Sequence, residues 1–313
     1  MKKYKILITG GAGFIGSKLS TKLVLENHHV TVIDNLKYSD SSLNHIFSFP
    51  NFTFVKGDVR NKKLLKNLVK KSDIVIPLAG LVGAPLCEKN KKYATEVNLN
   101  SIKFILSIIK KNQKIIYPTT NSGYGIGEAK KFCDENTPLK PISHYGVTKS
   151  KAENEVLKYR NSVCFRLATV FGFSYRMRTD LLVNNFVYLA VKEKKIELFE
   201  SHFRRNFIHI EDVVNAFNFT IKNFSKLKGH TYNLGLSSAN IDKLTLAKKI
   251  KKYVKNLKII IKENKKDPDK RDYFVSNKKI EKKGFKAKVT LESGIKELVE
   301  IFKYSKVNVR NNY

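Results

Sequence analysis

The sequence is poor in acid. Against 60 lysines and arginines it sets 27 aspartates and glutamates, a formal net charge of +33 over 313 residues. A surplus of that size admits nucleic acid or an anionic membrane as a partner. The lysines, however, are scattered over segments such as 62–71, 110–114, 192–195 and 249–266, mostly on polar faces and often beside asparagine. A compositional bias acting on solvated positions accounts for that spread. No nucleic acid is therefore expected, although a positive field also attracts an anionic substrate.

Cysteine is scarce as well. Cys87, Cys133 and Cys164 are odd in number, far apart and without a CxxC pair, which excludes a disulfide framework and fits a reducing cytoplasm. The seven histidines lack a ligand spacing such as HExxH, so no metal is expected. No apolar run approaches the ~20 residues needed to span a bilayer, so no membrane is expected. The run after Met1-Lys2-Lys3 is cut by glycine after six residues, which marks a buried strand rather than a signal peptide. There is no linker rich in proline or serine, no internal repeat, and only a short charged tail at 308–313.

What the sequence does have is glycine in a telling place. Residues 4–34, YKILITGGAGFIGSKLSTKLVLENHHVTVID, run from an apolar strand through glycines into a helical stretch and a second β-branched strand that closes on Asp34. Gly10 permits a sharp turn off the strand, Gly13 lets backbone N–H groups approach a pyrophosphate, and Gly16 lets the helix pack close to the strand. The helix N-terminus presents further N–H groups to that phosphate. Asp34 sits where a carboxylate accepts from both hydroxyls of an adenosine ribose and repels a 2′-phosphate, so the pattern indicates NAD before NADP.

Strands then alternate with helical segments. A strand at 52–55 leads to Gly57-Asp58-Val59, where Asp58 is placed to bond the adenine amino group and Val59 to cover the ring. Asp58 is also a candidate cap for a helix starting near Asn61. An apolar strand at 73–77 ends in Leu78-Ala79-Gly80, small enough to let a nicotinamide ribose come close. A long helix over 93–111 carries Asn98, and a strand at 114–117 leads to Pro118-Thr119-Thr120. This alternation specifies a doubly wound parallel α/β sheet with ligands beyond the C-terminal strand ends. The chain exceeds a typical domain of roughly 100–200 residues. We expect a dinucleotide-binding domain at 1–172, with 205–235 returning to it, and a smaller α+β substrate-binding domain at 173–313.

Ser143 opens a helix on which Tyr145 and Lys149 stand at i and i+4, projecting from one face. An ammonium near a phenol favours phenolate and lowers a pKa that is ordinarily about 10, making a proton acceptor usable near neutral pH. Thr120 offers a further hydroxyl at the matching sheet edge.

Taken together, these residues are identified as those of an extended short-chain dehydrogenase/reductase, of the group of NAD-dependent nucleotide-sugar epimerases and dehydratases. The resemblance rests on TGGAGFIG (9–16), Asp34, Gly57-Asp58-Val59, Leu78-Ala79-Gly80, Val97-Asn98, TTNSGYG (119–125) and YGVTK (145–149). It continues through Arg166, Phe171-Gly172, RNFIH (205–209) and Tyr232-Asn233-Leu234-Gly235, in order over nearly the whole chain.

The resemblance implies a Rossmann-type fold, a tightly held NAD and a nucleoside-diphosphate sugar as substrate. Tyr145 is implied as the base and Thr120 as the hydroxyl that bonds the same sugar oxygen. Lys149 is implied on the nicotinamide ribose. Gly10, Gly13, Phe14, Ile15, Gly16, Asp34, Asn35, Asp58, Val59, Leu78, Ala79, Gly80 and Asn98 match further cofactor positions. Arg205 and Arg271 are implied as a diphosphate clamp, with Asn185 on the nucleotide diphosphate.

Two departures stand out. The family's dehydratases follow the catalytic threonine with Asp-Glu, which supply acid and base for water elimination. Here Asn121-Ser122 stand in their place, which argues against a 4,6-dehydratase and leaves epimerase or ketoreductase chemistry, with an epimerase acting at C4 as the first reading. The asparagine of the family's RYFNxYG is Thr169. Alternatives are a reductase of a 4-keto nucleotide sugar and a silent NAD- and RNA-binding member. A homodimer is implied, paired through the helix before Thr120, with its Phe104, Ile105, Ile108 and Ile109, and through the helix bearing Tyr145.

Overall fold

The run KILIT, Lys5–Thr9, is buried from its second residue onward and forms β1, near the middle of the fold. Its side chains divide by parity. Ile6 and Ile8 join the larger apolar core, and Leu7 joins a second one on the opposite face of the sheet. One buried strand thus serves two helix layers, as the doubly wound reading requires. These relations come from a computed structural model that describes residues 2–128, 131–262 and 271–304. The tail at 308–313 and the lysines at 263–266 lie outside the described residues.

After β1 the chain alternates as expected through α1 (Phe14–Leu25), β2 (His29–Asp34), β3 (Phe52–Lys56), α2 (Lys62–Lys70) and β4 (Ile74–Pro77). The cap of α2 is Asn61, whose side chain accepts from the Leu64 N–H; Asp58 is not the cap. The helix expected over 93–111 is interrupted. Short helices α3 (Ala84–Lys89) and α4 (Lys91–Thr95) come first, a π-helical turn over Glu96–Asn100 follows, and α5 (Ser101–Ile108) ends early. The π turn holds Asn98, and such turns often mark functional positions.

β5 (Lys114–Thr120) extends three residues beyond the expected strand and carries Thr120 to its end. β6 (Phe132–Cys133), α6 (His144–Leu157), β7 (Ser162–Leu167) and β8 (Thr169–Phe171) follow, then α7 (Leu182–Glu193) and β9 (Lys195–Leu198). β10 (Arg204–His209), α8 (Ile210–Lys222), α9 (Phe224–Leu227), β11 (His230–Leu234), β12 (Asn240–Asp242) and α10 (Lys243–Lys251) continue the chain. β13 (Lys258–Ile261), β14 (Phe274–Val275), α11 (Lys278–Lys282) and α12 (Leu291–Tyr304) complete it.

Seven parallel strands form the main sheet in the order β3-β2-β1-β4-β5-β7-β11. The winding direction reverses between β1 and β4, and the crevice beyond that point is where such sheets hold ligands. β11 joins the sheet edge, whereas β10 lies outside it, parallel to β8 and antiparallel to β12. β9 pairs with β13 and β6 with β14. Among the described residues, no helix is long and apolar enough to cross a membrane.

Candidate active site

A cavity of about 520 Å³ opens at the switch point. Its first wall is backbone. Gly10 has φ +71, and a Cβ there would lie 2.5 Å from the Ala79 nitrogen, so β1 and β4 deliver their loops in contact. Gly13 caps α1 with no side-chain hydrogen bond, leaving the helix end to a ligand. Asp34 accepts from Ala12 N at 3.0 Å and Leu36 N at 2.8 Å, which ties the glycine loop to the end of β2. Burial nevertheless raises the Asp34 pKa against those hydrogen bonds and the nearby Arg176.

Asp58 meets Arg60 through its backbone N–H at 2.9 Å and its guanidinium at 3.0 Å, and Arg60 reaches on to Glu96. Burial pushes the Asp58 carboxyl up, but Arg60 outweighs it and the net shift is downward. The glycine cradle, the helix end and the carboxylate suit a dinucleotide. Gly10, Gly13, Phe14, Ile15, Gly16, Asp34, Asn35, Asp58, Val59, Leu78, Ala79 and Gly80 all border the cavity. Asn98 stands behind it, where its amide accepts from Leu81 N at 2.8 Å and donates to Leu81 O at 2.9 Å. It shapes the loop after β4 from outside.

The second wall is α6. Ser143 caps the helix by accepting from Gly146 N at 3.2 Å, and Tyr145 and Lys149 then face the cavity together. One turn on, Glu153 is buried and paired with Arg166 at 2.7 Å. Arg166 also donates to the Tyr124 hydroxyl at 3.0 Å, and that hydroxyl donates to Asn233 Oδ1 at 2.7 Å. This network pins α6 to β7 and β11, and with it the azimuth of Tyr145.

Thr120 borders the cavity beside Tyr145 and acts on its hydroxyl. Lys149 does not lower the tyrosine's pKa as expected. Its Nζ lies 4.1 Å above the centre of the Tyr117 ring. Burial pushes Lys149 down to about 7, against opposing pulls from Cys164, Glu153 and Cys87. Burial, with Cys87 beside it, pushes Tyr145 up to about 12, although Arg271, Arg178 and the Thr120 hydrogen bond draw it down. Burial, not the lysine, sets the direction of the Tyr145 shift.

The third wall comes from separate elements. Asn185 on α7, Arg205 on β10 and Arg271 before β14 all border the cavity. Arg205 donates to the carbonyls of Arg204 and Arg271. Arg204 grips Asp272 at 2.8 and 2.9 Å, which fixes the neighbouring Arg271. A second cavity of about 500 Å³ adjoins, and Leu182, Asn185 and Lys243 line both.

Lys37 and Tyr38, in the polar loop after Asp34, also line the cavity, as do Tyr93 and Lys243, which carried no signal in the sequence. Arg178 and Arg176 also line the cavity, and Arg178 is engaged by Asp180 at 3.0 Å. The RMRTD spacing at 176–180 was their one local signal. Glu153 was findable as the next i+4 position after Lys149. Thr169 on β8 borders the cavity, whereas Asn121 is buried with both amide atoms lacking a hydrogen-bond partner.

Comparison with known proteins agrees with this geometry. The model of the NAD dependent epimerase/dehydratase family matches residues 6–235. The chain is 31% identical over 270 residues to a CDP-paratose 2-epimerase of Salmonella typhi, covering 75% of this chain and 80% of the relative. It is also 31% identical to a dTDP-D-glucose 4,6-dehydratase of Dictyostelium discoideum, covering 79% of this chain but 61% of that protein's length. In three dimensions it resembles the UDP-glucose 4-epimerase of Thermus thermophilus in complex with NAD, with a TM-score of 0.83 at 21% identity over 96% of this chain and 99% of that one. At that identity the likeness speaks for the fold.

Proposed function

Because the chain belongs to the NAD dependent epimerase/dehydratase family, we propose that it is an NAD-dependent nucleotide-sugar epimerase that inverts C4 of a nucleoside-diphosphate sugar through a transient keto sugar. The family contains both dehydratases and epimerases, so the choice rests on one observation. Where the family's dehydratases follow the threonine with carboxylates, Asn121 and Ser122 follow Thr120, and among the described residues no carboxylate borders the cavity beside it. Of the carboxylates bordering the cavity, Asp34 and Asp58 belong to the dinucleotide end, and Asp180 is held by Arg178. Water elimination needs a positioned acid and base. Inversion needs one group that takes a hydroxyl proton and returns it.

NAD, when bound, supplies a hydride acceptor that becomes a donor, the redox chemistry the side chains lack. Asp34 and the α1 terminus hold its adenosine and diphosphate in this reading, and Lys149 lies beside its nicotinamide ribose. Tyr145 as phenolate takes the proton of the sugar hydroxyl, and Thr120 bonds the same oxygen. Arg205, Arg271 and Asn185 bind the substrate diphosphate, since guanidinium groups recognise phosphate bidentately. Residues 1–172, with 205–235, are assigned to the cofactor and 173–313 mainly to the substrate. The expected homodimer would cover the half-buried Phe104, Ile108 and Ile109 on the α5 side; the mass of the purified protein in solution tests it.

The test of the function is a panel of UDP-, dTDP-, CDP- and GDP-sugars incubated without added cofactor and followed by NMR. A C4 epimer of one of them supports the reading. A 4-keto-6-deoxy product contradicts it, and turnover only with added NADPH or NADH points to the ketoreductase.

A further inference from the structure

Ser122 occupies the place where the family's dehydratases carry glutamate, and here its hydroxyl is a junction. It accepts from Thr120 Oγ1 at 2.9 Å and from Arg271 Nη1, while its own N–H donates to Thr120 Oγ1 at 3.1 Å. Thr120 and Tyr145 line the same stretch of the cavity, and Thr120 draws the Tyr145 pKa down. The side chain of Ser122 is buried yet borders the cavity. Arg271 is set firmly against it. The carbonyl of Arg271 accepts from Arg205, the adjacent Asp272 is held by Arg204, and the Asp272 carbonyl accepts from Gly127 N at 2.8 Å, on the loop that follows Ser122.

We propose that Ser122 and Arg271 are positioning residues for Tyr145: with Thr120 they form a hydrogen-bonded chain from a permanent guanidinium charge to the phenol, which sets how readily Tyr145 gives up its proton. The inference rests on the reading of Tyr145 as the base. With Tyr145 protonated, its O–H donates to Thr120 and Thr120 donates to Ser122. Ionisation moves each proton one oxygen along. The Tyr145 proton passes to Thr120, the Thr120 proton to Ser122, and the Ser122 proton to water in the cavity.

One proton leaves, the other O–H bonds are broken and remade, and both hydroxyls end up donating toward the phenolate. Arg271 continues to donate to Ser122, and its charge favours the ionised end of a polarised chain. Other groups face Tyr145: Cys87 from α3, Tyr117 from β5, Arg178 with its partner Asp180, and Lys149 on the same helix. Their arrangement is unchanged by removing one serine oxygen, which isolates the chain.

The test is an ultraviolet titration of tyrosinate in the NAD-loaded protein, with the Tyr145→Phe signal subtracted. Ser122→Ala is expected to raise the apparent pKa of Tyr145 by about one unit, a tenfold change in its ionisation constant. Ser122→Thr, which keeps the hydroxyl, is expected to restore the wild-type value. An unchanged titration in Ser122→Ala overturns the proposal, and so does a Ser122→Thr variant shifted as far as the alanine. The titration reads Tyr145 whether or not a given sugar is turned over. A failed chain is therefore distinguishable from a failed reaction assignment, which would show as full activity in Tyr145→Phe.

Discussion

The two ends of the cavity are built differently. The end proposed for the dinucleotide is backbone: a glycine loop against the end of β4, a helix terminus without a side-chain cap, and one carboxylate tying two loops together. The end proposed for the sugar nucleotide is side chain, with Arg205, Arg271, Asn185 and Arg178 lining the cavity from separate elements. Backbone walls tolerate little variation and suit a part of the ligand that never changes. Side-chain walls can be exchanged singly, which suits a family whose members act on different sugars.

That contrast can be broken at either end. The largest effect is expected between them: Tyr145→Phe removes the proton acceptor and should lower kcat by roughly 10²–10⁴-fold, with NAD content and melting temperature nearly unchanged. A variant that keeps wild-type kcat would remove Tyr145 from the chemistry. At the side-chain end, Arg205→Met removes charged hydrogen bonds worth about 1.5–3 kcal/mol, so KM for the sugar nucleotide should rise by roughly 10–100-fold while bound NAD stays constant.

At the backbone end, Gly10→Ala places a methyl group 2.5 Å from the Ala79 nitrogen at a φ of +71. Forcing β1 and β4 apart should cost about 1–3 kcal/mol and empty the protein of NAD; equilibrium unfolding and the released nucleotide measure both. If Gly10→Ala instead raised KM for the sugar and retained NAD, the division between the two ends would fail.

The smallest effect is one of pH. Burial pushes Lys149 from 10.5 down to about 7. Between those values the unfolded chain holds a proton that the folded chain does not, so stability rises with pH across that window. Lys149→Met should flatten the slope, which urea midpoints at about pH 7.5 and about pH 9.5 would show. An unchanged slope would mean that Lys149 stays protonated when buried.

The same contrast explains what the sequence could disclose. The glycine spacing, Asp34 and the Tyr145–Lys149 pair are local patterns, and each falls at the sheet end that the alternation of strands and helices predicts. The π turn at Asn98 and the asparagine cap at Asn61 were missed because both depend on a few backbone angles that helical periodicity does not encode. Arg271 against Ser122 and Arg204 against Asp272 join residues far apart in sequence, and only the folded β10, β14 and β5 ends bring them together. The expected effect of Lys149 on Tyr145 failed for another reason. Spacing shows that two groups are near, but desolvation, which decides the sign here, depends on everything packed around them.

The central claim is that one carbon loses and regains its own hydride. The direct measurement uses the sugar nucleotide identified by the panel, labelled with deuterium at C4, and locates the label in the product by NMR. The account predicts an inverted C4 that still carries deuterium, with none exchanged from the medium. Deuterium on another carbon, or a product hydrogen supplied by added NADH, would contradict it.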